Sequence, residues 1–303
     1  MSKLTNIKEN AYVRLHIGIL LAGATGVFGR LITLTEVPLV WYRMIIASLV
    51  LWPLLRYTSL GSKTYVPWKG HYVKFLLCGA TLAIHWVFFY ASIKASNVSV
   101  AVVCIALDGF STSIIEAIFE RRWPRVQEIA LSIFSVVGIL LIFGFDPRYR
   151  LGILFGLGCT VVYALSSVLG KQVQHETGIK SSDLLLRELL VGVVMLTLFM
   201  PLYLHLNPSA SIAITGNDLM YMPIFATVFT LIPFLFQLQA MRTISAFTVN
   251  LSYNMEPVYS IIFAMIIFNE GREVGRSFWC GVLLIIVSVV LQTIDSKRRQ
   301  RLH

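Results

Sequence analysis

The ionisable side chains in or beside apolar stretches of this sequence that could do chemistry are Arg43, His85, Asp108, Lys171, Arg187, Glu188 and Glu256. An isolated charge in an apolar medium costs roughly 3 kcal/mol or more, so each needs a partner or a purpose. Asp108 and Glu256 stand 148 positions apart, beside Gly109 and Pro257 respectively. A residue before proline is pushed away from helical geometry, which frees backbone carbonyls near a cavity. Two readings of these acids stay open. Substrate amines or protons could reach them, or each could be buried in a salt bridge with Arg43 or Arg187 that fixes helix packing. Arg43 and Arg187 also lie near the ends of their apolar runs, where a long cationic side chain can snorkel to an interface. Lys171 reads as such an interface residue.

A second group is aromatic. In Ile84-His85-Trp86-Val87-Phe88-Phe89-Tyr90 the imidazole of His85 has Phe88 and Phe89 one helical turn away. Such a set can meet a carboxylate and a ring of a bound molecule, or move a proton. A core histidine bonded to a neighbouring helix is the competing reading. Tyr163, Asn250, Tyr253 and Asn254 are further polar candidates within apolar runs.

The elements that carry these residues must be membrane helices. Of 303 residues, 57% are hydrophobic and only 13% charged, and the mean hydropathy is +0.77. A soluble domain carries about 25% charged residues, so this chain lacks the polar surface to cover a water-soluble globule. The net charge of +10 sits in short segments between apolar runs and at the ends, which is an orientation signal rather than a nucleic-acid surface. Cys78, Cys104, Cys159 and Cys280 are far apart and form no metal-ligand spacing.

A helix needs about 20 mainly apolar residues to cross the hydrocarbon core. On that criterion the sequence predicts ten spans: Leu15–Leu34, Val37–Leu55, Tyr72–Ala91, Val98–Phe119, Gln127–Phe145, Leu151–Leu169, Leu184–Leu204, Leu219–Gln239, Phe247–Phe268 and Phe278–Thr293. With the N-terminus inside, seventeen Lys and Arg residues fall in cytoplasmic segments and five outside. This bias places both termini in the cytoplasm.

Short similarities recur in the same order along the two halves. Val40-Trp41-Tyr42-Arg43 is echoed by Leu184-Leu185-Leu186-Arg187, and Leu107-Asp108-Gly109-Phe110 by Met255-Glu256-Pro257-Val258. They suggest one five-helix unit used twice, residues 1–147 and 148–303. An odd number of crossings inverts the second copy, the architecture of carriers that alternate access about a central site.

At this point the chain resembles the EamA-type carriers of the drug/metabolite transporter superfamily. The likeness rests on Ser245-Ala246-Phe247, on Glu256-Pro257-Val258-Tyr259 closing at Asn269-Glu270, and on Arg43 after a Pro38-led start. Gly23, Gly26 and Gly29 followed by Arg30 complete it. One departure is Gly109, where the family usually has proline, so any kink there must be made differently. The resemblance implies an all-helical secondary transporter of small metabolites, amino acids or related compounds, working in the exporting direction, without a cofactor. A bacterial inner membrane fits the lack of a targeting segment. Efflux of lipophilic cations is a rival within transport; a membrane-embedded enzyme or a non-transporting protein is a rival from another class. No HExxH, GxSxG or GxxxxGK[ST] pattern is present, so neither hydrolysis nor ATP-driven transport is expected from this chain, and a gradient must drive it. A proton is a candidate coupling ion.

Overall fold

The computed structural model describes residues 2–58, 61, 66–105, 107–119, 121, 123, 133, 137, 147–240, 253, 255–269, 279–281, 283–284, 287 and 290–291. Among these the regular structure is helical throughout, and six helices are long and apolar enough to cross a membrane. The all-α membrane architecture expected from hydropathy is the one observed. All but Ile133 and Val137 of the fifth predicted span, half of the tenth and the first part of the ninth lie outside the described residues.

The first span divides into α1 (Ser2–Gly23) and α2 (Thr25–Leu31), α3 is Glu36–Tyr57, and α4 is Tyr72–Ala95. The fourth span is likewise two pieces, α5 (Val98–Ile105) and α6 (Asp108–Phe119). Long helices α7 (Arg150–Thr177) and α8 (Ser181–Leu206) follow. The eighth span comprises α9 (Asp218–Ala226), a π-helical segment over Thr227–Leu231, and α10 (Ile232–Ala240). Glu256–Phe268 forms α11.

Local chemistry explains several of these boundaries. Gly178 closes α7 at φ +67°, a left-handed cap that an L side chain adopts only with strain. Pro53 and Pro201, again 148 positions apart, lie in the last turns of α3 and α8. The fourth span breaks without a proline: Leu107 makes a tight turn onto the Cys104 carbonyl, and α6 restarts at Asp108.

Apolar burial does little to hold helices together in lipid, so close backbone approach and interhelical hydrogen bonds must do more. The small residues of the first span supply that approach. A Cβ on Gly23 would sit 2.8 Å from Tyr259 of α11, one on Gly26 2.7 Å from Val98 of α5, and one on Gly29 2.5 Å from Tyr90 of α4. Beside Gly23, Ser260 donates to its carbonyl at 2.6 Å. The first span is thereby clamped between halves of the sequence, and the largest buried cluster, including Met44, Tyr90, Met222 and Phe225, fills the centre.

Candidate functional site

Arg43 is the hub. It is buried in the middle of α3, and its partners come from α4 and the eighth span. Its Nη1 donates to the Tyr90 hydroxyl at 2.7 Å and its Nε to Thr230 Oγ1 at 2.9 Å. The guanidinium lies 3.9 Å above the Trp86 ring and 4.7 Å from that of Phe225. Thr230 is placed by the π-helical segment, where its hydroxyl donates to the Phe225 carbonyl at 2.9 Å and accepts from Arg43. Single π turns interrupt helices mostly at functional positions. Arg43 therefore serves the interior of the bundle, not its edge.

Both acids open a helix: Asp108 is the first residue of α6 and Glu256 the first of α11. A carboxylate at a helix N-terminus faces unpaired backbone N–H groups and the positive end of the helix dipole. Thr112 Oγ1 donates to Asp108 at 3.3 Å. Glu256 lies within electrostatic range of Arg43, Asp108, Tyr163 and Tyr253. The Tyr253 hydroxyl donates to the Pro233 carbonyl at 3.2 Å.

His85 is buried with its ring 4.9 Å from Tyr163 and within electrostatic range of Arg43. It lies close to the backbone of Thr81 and Leu82, yet Nδ1 makes no hydrogen bond of good geometry. Tyr163 shares a face of α7 with Gly156, Cys159 and Gly170, all buried, but is itself 39% exposed.

The structure thus gathers Arg43, His85, Asp108, Tyr163, Tyr253 and Glu256 around one interior region. Phe88 lies over Gly158 and against Phe155 of α7, while Phe89 packs on Tyr90 and toward Gly26. Asn250 and Asn254 lie outside the described residues. Arg187 is remote from this group, with its guanidinium over the Phe75 and Trp68 rings and a hydrogen bond to the Val66 carbonyl. Lys171 is ion-paired with Glu116 of α6. Glu188 packs beside Gly79 and Gly170.

Sequence reasoning passed over Trp86, Tyr90, Phe225 and Thr230 as site residues. Trp86 and Tyr90 carried a signal, since an indole and a phenol four residues apart share one helical face and suit a buried cation. Thr230 carried none.

Comparison with known proteins adds a family. The EamA-like transporter family matches twice, over residues 11–144 and 150–294. An uncharacterised transporter of Bacillus subtilis (strain 168), YxxF, is 22% identical over 302 residues, which is 97% of this chain and 91% of that protein. A solved crystal structure, 16% identical, superposes with a TM-score of 0.66 over 96% of this chain and 99% of its own. That likeness concerns the fold.

Proposed function

The chain belongs to the EamA-like transporter family, and on that premise we propose that it is a secondary carrier exporting an amine-bearing small metabolite, such as an amino acid, by alternating access. The observation that supports this reading is a charge imbalance. Among the described residues, two carboxylates, Asp108 and Glu256, share the interior region with a single guanidinium, that of Arg43. Ionised together, they leave one negative charge in a medium that penalises it. A ligand ammonium pairs with the carboxylate left over when cargo is bound, and a proton neutralises that carboxylate when the site is empty. Exchange of the two across the membrane is proton-coupled export. His85 and Tyr163 then meet the polar and aromatic parts of the cargo, with Tyr253 beside Glu256, and Phe88 and Phe89 form the outer wall. Two five-helix units, 1–147 and 148–303, rock about this region in a cell membrane, with both termini in the cytoplasm.

A radiolabel counterflow panel in proteoliposomes, with an entrapped pH dye, tests the reading. Amine-bearing compounds should exchange and move protons oppositely. Asp108→Asn or Glu256→Gln should slow exchange by about ten- to a hundredfold, the loss of one charge-assisted interaction. Exchange confined to compounds without an amine would refute it. Exchange of quaternary lipophilic ammonium ions alone would favour drug efflux.

A further inference from the structure

Residues 32–35, which join α2 to α3, are not helical; Ile32 N still bonds the Phe28 carbonyl, but the Thr33 and Leu34 backbone donors need partners from elsewhere. The partner is one carboxylate 185 positions away. Asp218 accepts from Thr33 N at 2.9 and 3.0 Å, from Thr33 Oγ1 at 2.6 Å and from Leu34 N at 3.3 Å. Asp218 is 1% exposed and is the first residue of α9. Lys94 donates to the Ile32 carbonyl and lies within electrostatic range of Asp218 and Glu36, while Tyr203 donates to Glu36 at 2.8 Å. These contacts tie the first half of the sequence to the second at one end of the bundle.

The corresponding connection in the second half, between α7 and α8, is satisfied differently. Ile179 N bonds Thr177 Oγ1 within the same connection, and Ile179 and Leu184 pack on Phe75 and Cys78 of α4. Among its cross-links to the first half are the exposed Lys74–Glu176 ion pair and a bond from Lys180 to the Gly61 carbonyl at 2.6 Å. Gly61 follows α3 and Thr33 precedes it, so these two junctions lie at opposite ends of the molecule. In the α7–α8 junction Gly178 N and Ile179 N bond acceptors of α7, the helix they follow; in the other, Thr33 N and Leu34 N are bonded only while α9 is docked against it.

We propose that Asp218 is the latch that closes its end of the carrier: its bonds to Thr33 and Leu34 hold when that end is shut and part when it opens. Opening exchanges these charge-assisted bonds for weaker ones to water, which makes opening at this end the costlier step. Cargo or coupling-ion binding at the central site must offset that cost. The inference rests on the alternating-access reading, but its test needs no cargo, so the two can fail separately.

The test places a cysteine at Met222, fully buried one turn beyond Asp218, or at Leu184 in the opposite junction. Each is labelled in proteoliposomes with a membrane-impermeant maleimide, after subtraction of the same variant without the reporter. Asp218→Asn should raise labelling at position 222 by about tenfold, the change that one charged hydrogen bond carries, and leave position 184 no more reactive than before. Asp218→Glu, which keeps an anionic acceptor, should fall between. Thr33→Ala, which removes one donor and no charge, gives a smaller rise in the same sense and serves if Asp218→Asn does not insert. Equal rises at both positions would make Asp218 a general fold anchor, and no rise at position 222 would also overturn the latch.

Discussion

Replacing Arg43 tests whether the centre of the molecule is assembled as described. Arg43→Ala deletes two hydrogen bonds from a charged donor, at 2.7 and 2.9 Å, and a stack at 3.9 Å on Trp86. Bonds of this kind are worth about 1.5–3 kcal/mol each, and a desolvated cation on an indole about 2 kcal/mol. Part of that is returned because the guanidinium need no longer be desolvated. What remains is the loss of two charge-assisted bonds and a stranded Tyr90 hydroxyl. Together these cost about 3–5 kcal/mol. At roughly 2–3 °C per kcal/mol for a chain of this size, the melting temperature should fall by roughly 6–15 °C.

Arg43→Lys separates charge from geometry. An ammonium keeps the electrostatic attraction to Glu256 but cannot bond Tyr90 and Thr230 while lying flat on Trp86. Its penalty should be near 2 kcal/mol, or roughly 4–6 °C. Intrinsic fluorescence melts of purified protein in nanodiscs read both variants. Trp86→Leu should cost less in the Arg43→Lys background than in wild type, with a coupling of about 1 kcal/mol. An Arg43→Ala protein melting within about 2 °C of wild type would refute the buried-hub description. A lysine variant as stable as wild type would show that charge alone matters.

Four further outcomes are expected. Asp108→Asn should melt at or above the wild-type temperature, because the carboxylate has one long hydrogen bond, to Thr112, and no ion pair among the described residues; a large drop would restore the salt-bridge reading. His85→Ala should weaken substrate-induced thermal shifts more than it lowers intrinsic stability, and equal shifts in variant and wild type would remove His85 from the site. Gly29→Ala should cost about 1–3 kcal/mol by overpacking, since its Cβ would meet Tyr90 at 2.5 Å; an unchanged melt would mean Tyr90 is free to retreat. A reporter fused at His303 and active only outside the cytoplasm should stay silent, and a strong signal would reverse the orientation.

The spans were legible because crossing lipid demands about 20 apolar residues, a constraint written along the chain itself. Arg43, Asp108 and Glu256 were legible for the complementary reason: a charge in such a run has no bland explanation. What could not be read was anything set by which helices become neighbours. The cage around Arg43 needs α4 and the eighth span beside α3, and nothing in the run from Leu219 to Gln239 distinguishes its π turn from regular helix. Asp218, one residue before the predicted start of that span, looked like an ordinary polar boundary. Its role follows from a partner 185 positions away. Arg187 was paired by analogy with Arg43, but the aromatic neighbours of one come from the bundle centre and those of the other from the 66–75 segment.

The helix interruptions locate the central site independently of any side-chain argument. Irregular backbone within a membrane is tolerated only where it is buried in protein or lines a cavity. The break in the first span at Ala24 meets the start of α11 directly, since a Cβ on Gly23 would lie 3.3 Å from the Glu256 carbonyl oxygen and Ser260 caps the Gly23 carbonyl. Thr230, in the π segment of the eighth span, is bonded to Arg43, which is in turn within reach of Glu256. The break before Asp108 brings the second acid into range of Glu256. Interruptions in four spans, drawn from both halves of the sequence, therefore fall around the same few residues. Helices that pack only for stability have no reason to break together. Helices that must present charge to a ligand and then rearrange around it do.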